Sequence, residues 1–443
     1  MIPTFRFYLF LMLGGAIAVW MAIVFSQAAA LRVLLLYDLG LLILGFIDAY
    51  RVKFHRVEVS RSPLARLSIG QDNPVELILK NQQYPAQVWL KDDYPVNFSV
   101  SVTELKASLA PHGEQTLTYA VYPQQRGQYE WKDLHLRQLG RWGLAWQGWK
   151  VSASQSVAVY PDLLSLRSLS IRLTLESSGT MRQARRIGLG TEFAELREYQ
   201  HGDDLRYMDW KATARRQRPL VRVLEPDREQ TVMILLDRGR LMTAQVQGLK
   251  RFDWGLNTAL SLALTALHRG DRVGIGVFDR DITAWIAPER GQHHLSHLIE
   301  RLTPIQPVLL EPDYLGAVSK VVNQQTRRAL IVLITDIVDQ TASAELLGAM
   351  MRLTPRYLPF CIALRDPQID TLAAGSSSLV ASNPDTRIQA AYTRAVAIDL
   401  LAQRQVAFAQ LKQRGVLVLD APAHQMSNQL VERYLQLKAK NLL

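Results

Sequence analysis

Apolar positions follow three different rhythms along the chain, and each rhythm predicts a different kind of element. From Phe7 to Phe25 the chain carries no charge, and after a few residues a second apolar stretch runs from Val33 to Tyr50. A hydrocarbon core of about 30 Å takes roughly 20 helical residues at about 1.5 Å each. The pair therefore predicts a transmembrane helical hairpin, with spans at about residues 6–26 and 32–50 and a tight turn at Ser26–Arg32. A cleaved signal peptide is the alternative, since Gln27-Ala28-Ala29-Ala30 looks like a cleavage site. The first stretch is long for one, and cleavage would leave the second as an orphan. From Phe54 to Tyr160 the rhythm changes to short alternating segments such as Val75–Leu79 and Gln115–Val121, split by Asn73-Pro74, Tyr84-Pro85 and Pro111-His112-Gly113. This predicts an antiparallel β-sandwich of about seven strands over residues 53–160.

The third rhythm starts at Thr231. Continuous apolar runs at Val232–Leu236, Val273–Phe278, Ala329–Ile334, Phe360–Leu364 and Val416–Leu419 alternate with helical patterns, the clearest from Leu249 to His268. Runs without alternation belong to strands covered on both faces, so residues 229–443 predict a doubly wound α/β domain with a parallel sheet.

Composition narrows the class. The 443 residues include 48% hydrophobic and 21% charged positions, which excludes wholesale disorder, and the single cysteine, Cys361, excludes an internal disulfide. The net charge of +11 admits an anionic membrane surface, nucleic acid or an acidic protein. Basic residues sit outside the hairpin, Arg6 before it and Arg51, Lys53, Arg56, Arg61 and Arg66 after it, against Arg32 alone in the turn. The positive-inside rule then places both ends in the cytoplasm. Asp38 falls within the second span, where a lone carboxyl near a short turn reads more simply as tolerated than as part of an ion pathway. Trp131, Trp142, Trp146 and Trp149 crowd the stretch around Leu139-Gly140-Arg141-Trp142-Gly143-Leu144, and are expected to fill a sandwich core rather than a carbohydrate platform.

Residues 161–228 form a basic connector, but Glu192, Glu195, Glu198, Asp203, Asp204 and Asp209 lace its arginines. Such acids repel phosphates, and no nucleic-acid-binding motif accompanies them, so no nucleic acid is expected. A helix is expected from Leu205, capped by Asp203 or Asp204, with Arg206 and Asp209 paired three apart and Trp210 turned toward a core. Arg197, Glu198, Asp204, Arg206 and Asp209 are read as a partly buried ionic network holding the connector to the next domain, in preference to an acid/base pair.

The string Gly190 to Arg215 resembles the signature of the domain of unknown function 58 family, at Glu192, Arg197, Tyr199, Gly202, Asp203, Asp204, Arg206, Asp209, Trp210 and Arg215 among others. Nearly the whole chain resembles the family's plan of membrane hairpin, β-rich domain and von Willebrand factor A-like domain. The resemblance implies a bacterial cytoplasmic-membrane protein with its soluble domains in the cytoplasm, partnered by a MoxR-type AAA+ ATPase. The residues themselves show nothing of that partner.

The strand runs end in Asp237, Asp279, Asp336, Asp366 and Asp420, the edge where ligands of such sheets bind. In A-like domains the first acid opens a D-x-S-x-S site for Mg²⁺ or Mn²⁺. Here Gly239 and Leu241 stand where the serines would be, with Arg238 and Arg240 beside them. Asp237, Asp336 and Asp313, with Glu311 nearby, are left as a degenerate metal site, and no cofactor is expected, Mg²⁺ being the one candidate. His293, His294 and His297 lack the third ligand of a zinc helix, and no phosphate-binding glycine motif occurs. The expected function is that of a non-enzymatic, membrane-anchored interaction protein. The alternatives are a metal-dependent hydrolase using Asp237 and Asp336, or a nucleic-acid-binding membrane protein.

Overall fold

The computed structural model describes residues 2–24, 27–64, 66–184, 192–225, 230–337, 343–375, 384–440 and 442. By their contacts they form two units, Met1–Tyr160 and Pro161–Leu443. The basic segment 161–228, read from sequence as a connector, thus lies in the second unit.

In the first unit two apolar helices, α1 (Phe5–Val24) and α2 (Gln27–Val52), precede twelve short strands. Both helices are long and apolar enough to cross a membrane. Their side chains face outward, with Phe5, Met12 and Ile23 each at 77% exposure or more. The turn is shorter than Ser26–Arg32, because α2 is already helical at Gln27. Alanine is the strongest helix former, and Ala28, Ala29 and Ala30 let α2 begin well before Arg32.

The strands are β1 (Ile2–Pro3), β2 (Glu58–Arg61), β3 (Arg66–Ser68), β4 (Asn73–Lys80), β5 (Ala86–Asp92), β6 (Phe98–Val100), β7 (Leu105–Leu109), β8 (Glu114–Pro123), β9 (Gly127–Trp131), β10 (Leu134–Leu139), β11 (Ala145–Val151) and β12 (Gln155–Tyr160). They form three sheets, ordered β1-β11-β10-β5-β7, β2-β4-β8-β6 and β3-β12-β9. All pairings are antiparallel except that of β3 with β12. About seven strands were expected and twelve are found; three of the extra ones, β1, β3 and β6, are pieces of two or three residues, too short for alternation to register. Period-two burial is clear where a strand is long enough, as in β4, whose alternate residues are buried. At the centre the buried Asp92 carboxylate accepts hydrogen bonds from Arg61, from Tyr119 Oη at 2.6 Å and from Trp131 Nε1 at 3.0 Å, and Trp131 is fully buried.

The second unit opens with α3 (Leu163–Ala184), whose Leu166, Leu169 and Leu173 enter a core shared with α5 (Arg251–His268). Between them lie the signature elements: β13 (Glu192–Glu198), a 3₁₀ turn (Leu205–Tyr207), α4 (Trp210–Arg216) and β14 (Leu220–Glu225). The main sheet combines β15 (Thr231–Asp237), β18 (Arg272–Phe278), β19 (Ile282–Glu289), β20 (Leu330–Thr335), β21 (Leu358–Arg365) and β22 (Leu417–Pro422), with a small hairpin of β16 (Gln245–Val246) and β17 (Leu249–Lys250) between β15 and α5. Its order is β19-β18-β15-β20-β21-β22. The five apolar runs all become strands. The sheet is mixed rather than parallel, because β19 returns antiparallel on β18; its half-exposed, alternating face is that of an edge strand. Alternate residues of β15 feed two cores. Val232, Ile234 and Leu236 pack with α3, α5, α6 (Gln292–Leu302) and α11 (Ala423–Ala439). Met233 and Leu235 pack with α7 (Tyr314–Gln324), α8 (Ala344–Met351) and α10 (Pro384–Gln413). The remaining helix, α9 (Pro367–Ala374), follows β21.

Candidate functional site

The edge beyond Asp237 is built from strand ends, but its carboxylates are engaged by the protein itself. Asp237 is fully buried; its Oδ2 accepts hydrogen bonds from Thr335 Oγ1 at 2.7 Å and Tyr314 Oη at 3.1 Å, and its Oδ1 accepts from Gly239 N at 2.7 Å. Burial pushes its carboxyl up to about 6 against the opposing pull of these hydrogen bonds, and the Asp336 charge adds to the rise. Gly239 leaves no room for a serine in its place, since a Cβ there would sit 2.8 Å from Leu310 O. The loop 308–313 is tied across this point by Arg240 N to Leu310 O and Val308 N to Arg238 O, both 2.8 Å.

Asp336 lies between two arginines, Arg404 Nη1 at 2.6 Å and Arg251 Nη1 at 2.8 Å. Arg404 also meets Asp420 at 3.2 Å, Asp420 meets Arg365 at 3.1 Å, and Arg365 meets Asp370 at 3.2 Å. The line Arg251-Asp336-Arg404-Asp420-Arg365-Asp370 alternates in sign and is neutral overall, and it ties α5, α9 and α10 to the ends of β20, β21 and β22. Burial works against the Arg404 charge, but Asp336 and Asp420 hold its pKa above the ordinary value. Asp279 is bound by Arg238 at 2.5 Å, and Asp366 caps α9.

The structure therefore does not gather the sequence-predicted metal residues. Asp313 turns away to cap α7 through Gly316 N at 2.7 Å, and Glu311 pairs with Arg240 on the surface at 2.8 Å. Among the described residues no group of three or more His, Cys, Asp or Glu is placed to hold a metal ion. His294 is buried against Val273 O, apart from any acid cluster of the edge. In α2, Asp38 Oδ1 is buried without a hydrogen-bond partner among the described residues. Arg404, Arg251 and Tyr314 were not singled out in the sequence. Arg404 had a signal: with Ala397, Phe408 and Leu411 it lies on the buried face of α10, and a charge on such a face needs a partner.

The signature segment is a self-contained hairpin. Arg197 grips Asp203 with two bonds of 2.9 and 2.6 Å, Asp203 also accepts from Gln200 N, and Gly202 makes the turn with φ +107°. Asp204 caps the 3₁₀ turn and pairs with Arg206 at 2.7 Å. Asp209 caps α4 through Ala212 N at 2.9 Å and pairs with Arg222 at 2.8 Å. The expected Arg206–Asp209 pair is thus replaced. Met208 is extended and breaks the helix that would have put the two on one face. The ion pairs are at the surface and close within the segment, instead of fastening it to the α/β domain. Trp210, expected in a core, is 68% exposed. Tyr199 is half-buried and its N–H donates to Pro219 O, while Arg215 is exposed. Gly190 and the Glu192 side chain lie outside the described residues. The partner guanidinium holds Asp203 and Asp204 below the ordinary carboxylate range, and the Ala212 N–H followed by Arg222 does so for Asp209. These pairs support the hairpin above the ordinary carboxylate pKa, and that support is lost as pH falls through the lowered values.

Residues 195–404 match the family described as protein of unknown function DUF58. The match begins inside the signature and ends at the arginine that closes the sheet edge, and it is narrower than the near whole-chain resemblance read from the sequence. Uncharacterized protein Rv1480 of Mycobacterium tuberculosis is 25% identical over 178 residues, covering 39% of this chain and 56% of the relative. Uncharacterized protein YeaD of Bacillus subtilis is 26% identical over 109 residues, 25% of each chain. The chain thus spans about half the length of the mycobacterial relative. Among solved structures, conserved hypothetical protein BatB from Bacteroides thetaiotaomicron shares 15% identity with a TM-score of 0.32, covering 48% of this chain and 99% of that one.

Proposed function

We propose that the protein is a membrane-anchored, non-enzymatic interaction protein of the bacterial cytoplasmic membrane, whose soluble units face the cytoplasm and whose α/β unit is a von Willebrand factor A-like domain with an arginine-filled edge. The proposed partner is the MoxR-type AAA+ ATPase implied by the family resemblance, and the process is assembly or activation of other protein complexes. One observation carries this reading: Asp203, Asp204 and Asp209 are consumed in local pairs while Leu205 is 60% exposed and Trp210 68% exposed on the same short helix as the exposed Lys211, Arg215 and Arg216. Among the described residues these three cations have no ion-pair partner. A rigid aromatic beside free cations is the composition of an interface anchor. The two apolar helices support the anchor, and the order of the main sheet, with Asp237 ending its central strand, supports the A-like reading.

The test is co-purification of the tagged full chain with the MoxR-type ATPase of the same organism. Trp210→Ala is expected to lower recovery about tenfold or more, as loss of a central aromatic anchor costs at least about 2 kcal/mol. Its melting temperature should stay that of the wild type, because Trp210 is exposed. Undiminished recovery with Trp210→Ala and with Arg215→Ala/Arg216→Ala together would remove the signature face as the contact.

A further inference from the structure

The glycines of Leu139-Gly140-Arg141-Trp142-Gly143-Leu144 have a structural cause that points away from the sandwich core. The turn between β10 and β11 is held against the outer ends of both apolar helices. Asp48, 1% exposed and near the end of α2, accepts Trp142 N through Oδ1 and Leu144 N through Oδ2, each at 3.0 Å. At the start of α1, Thr4 Oγ1 donates to Gly143 O at 2.7 Å and Thr4 N donates to Leu144 O at 3.0 Å. A Cβ on Gly140 would run into the Asp48 carboxylate, which its two N–H bonds prevent from moving away. Gly143 has φ +72°. Leu144 packs with Phe7 and Leu41. Since Thr4 and Asp48 reach one turn, the two helices enter and leave at the same level, and the turn marks that level.

Around the clamped turn the exposed side chains are basic and aromatic. The Arg51 guanidinium lies 5.1 Å from the Trp142 ring centre, Lys53 Nζ lies 5.3 Å from that of Tyr50, and Arg141 lies over Tyr84 at 4.7 Å. Trp142 and Tyr50 remain 42% and 48% exposed, and Phe54 is 66% exposed. Among the described residues Arg51, Lys53 and Arg141 have no ion-pair partner, and the Asp48 carboxylate is taken up by the clamp. Amphipathic rings at the end of an apolar span, with free cations beside them, match the layer where lipid headgroups lie.

We propose that this foot is a binding site for anionic phospholipid, with Arg51, Lys53 and Arg141 taking the headgroup phosphate and Trp142 lying in the interfacial layer. The clamp by Asp48 and Thr4 holds the site at the depth of the headgroups. This inference rests on the membrane-anchor reading, and charge complementarity selects the anionic leaflet as the occupant.

The experiment uses the full chain in detergent with equimolar phosphatidylglycerol and phosphatidylcholine, and counts retained lipids by native mass spectrometry. Wild type should retain phosphatidylglycerol in preference, and Arg51→Gln/Arg141→Gln should lower that preference by roughly tenfold or more. Both guanidinium groups are exposed, so the variant should melt as the wild type does; Lys53→Gln is the second variant, with a smaller loss in the same direction. Millimolar glycerol 3-phosphate, which has the phosphate without acyl chains, should not displace the lipid. Equal retention of the two lipids by wild type, an unchanged preference in the double variant, or displacement by glycerol 3-phosphate would each overturn the headgroup site. Flotation with vesicles separates the two readings: a wild type that fails to float loses the anchor itself, whereas one that floats without lipid preference keeps the anchor and loses only this site.

Discussion

Replacing Arg404 with alanine should destabilise the α/β unit by about 3–5 kcal/mol, the largest effect expected of any single substitution at the sheet edge. Arg404 is 7% exposed and binds Asp336, Asp420 and the carbonyl of Ile337, the last at 2.6 Å. Its removal leaves the buried Asp336 and the partly buried Asp420 each short of one cation, and a buried carbonyl short of a donor. Arg251 and Arg365 still neutralise one side of each acid, which places the effect nearer the lower figure. Arg404→Met fills the same volume but restores none of these bonds, so it should recover only the part of the loss that comes from packing against Phe408, whose ring centre lies 5.3 Å away. Hydrogen exchange of the full chain in detergent resolves the unit concerned. Amides of Ile331–Ile334 should exchange about 100-fold faster or more in Arg404→Ala. Unchanged protection would show that the arginine line does not hold α10 to the sheet.

From pH 4 to pH 7 the wild type should lose about 3 kcal/mol of stability relative to Asp237→Asn. Burial raises the folded carboxyl from its ordinary 3.8 to about 6, so the folded state binds a proton that the unfolded state has released over that interval. The contribution is fully present below about pH 4, is lost as pH rises through about 6 and is flat above. About two pKa units at about 1.4 kcal/mol each give the stated magnitude. The asparagine keeps an oxygen for Gly239 N and offers an amide to Tyr314 and Thr335, whose hydroxyls can turn to accept. Taking the difference between the two proteins cancels every other titration. Parallel stability curves for the two would show that Asp237 is ionised throughout, contrary to the burial argument.

What the sequence disclosed and what it concealed divide along the range of the interactions. Apolar runs identified every strand of the main sheet except β19, which is only partly buried because it lies at an edge, and the two long apolar stretches located α1 and α2. The signature was legible as a constellation, yet its pairing was not. An i, i+3 rule presumes one continuous helix, and Met208 interrupts it, so Arg206 turns back to Asp204 and Asp209 reaches across the hairpin to Arg222. Trp210 was expected in a core on a helix running from Leu205, but α4 starts only at Trp210, and its seven residues are too few for amphipathic spacing to define a buried face. At the sheet edge the acids were visible because each ends a strand. Their cations were not, because Arg404 and Asp336 are 68 positions apart and meet only after the chain has crossed the sheet.

The central claim is that this edge and the signature face act through side chains and not through a bound cation. The most direct measurement is recovery of the MoxR-type ATPase on the tagged full chain in EDTA and in millimolar Mg²⁺, with isothermal titration of Mg²⁺ into the wild type and Asp237→Ala alongside. Recovery should be the same in both buffers, and any Mg²⁺ affinity should be no tighter than the millimolar range, since Asp237 and Asp336 already have their partners. Loss of the partner in EDTA with return in Mg²⁺, together with micromolar Mg²⁺ binding that disappears in Asp237→Ala, would contradict the account.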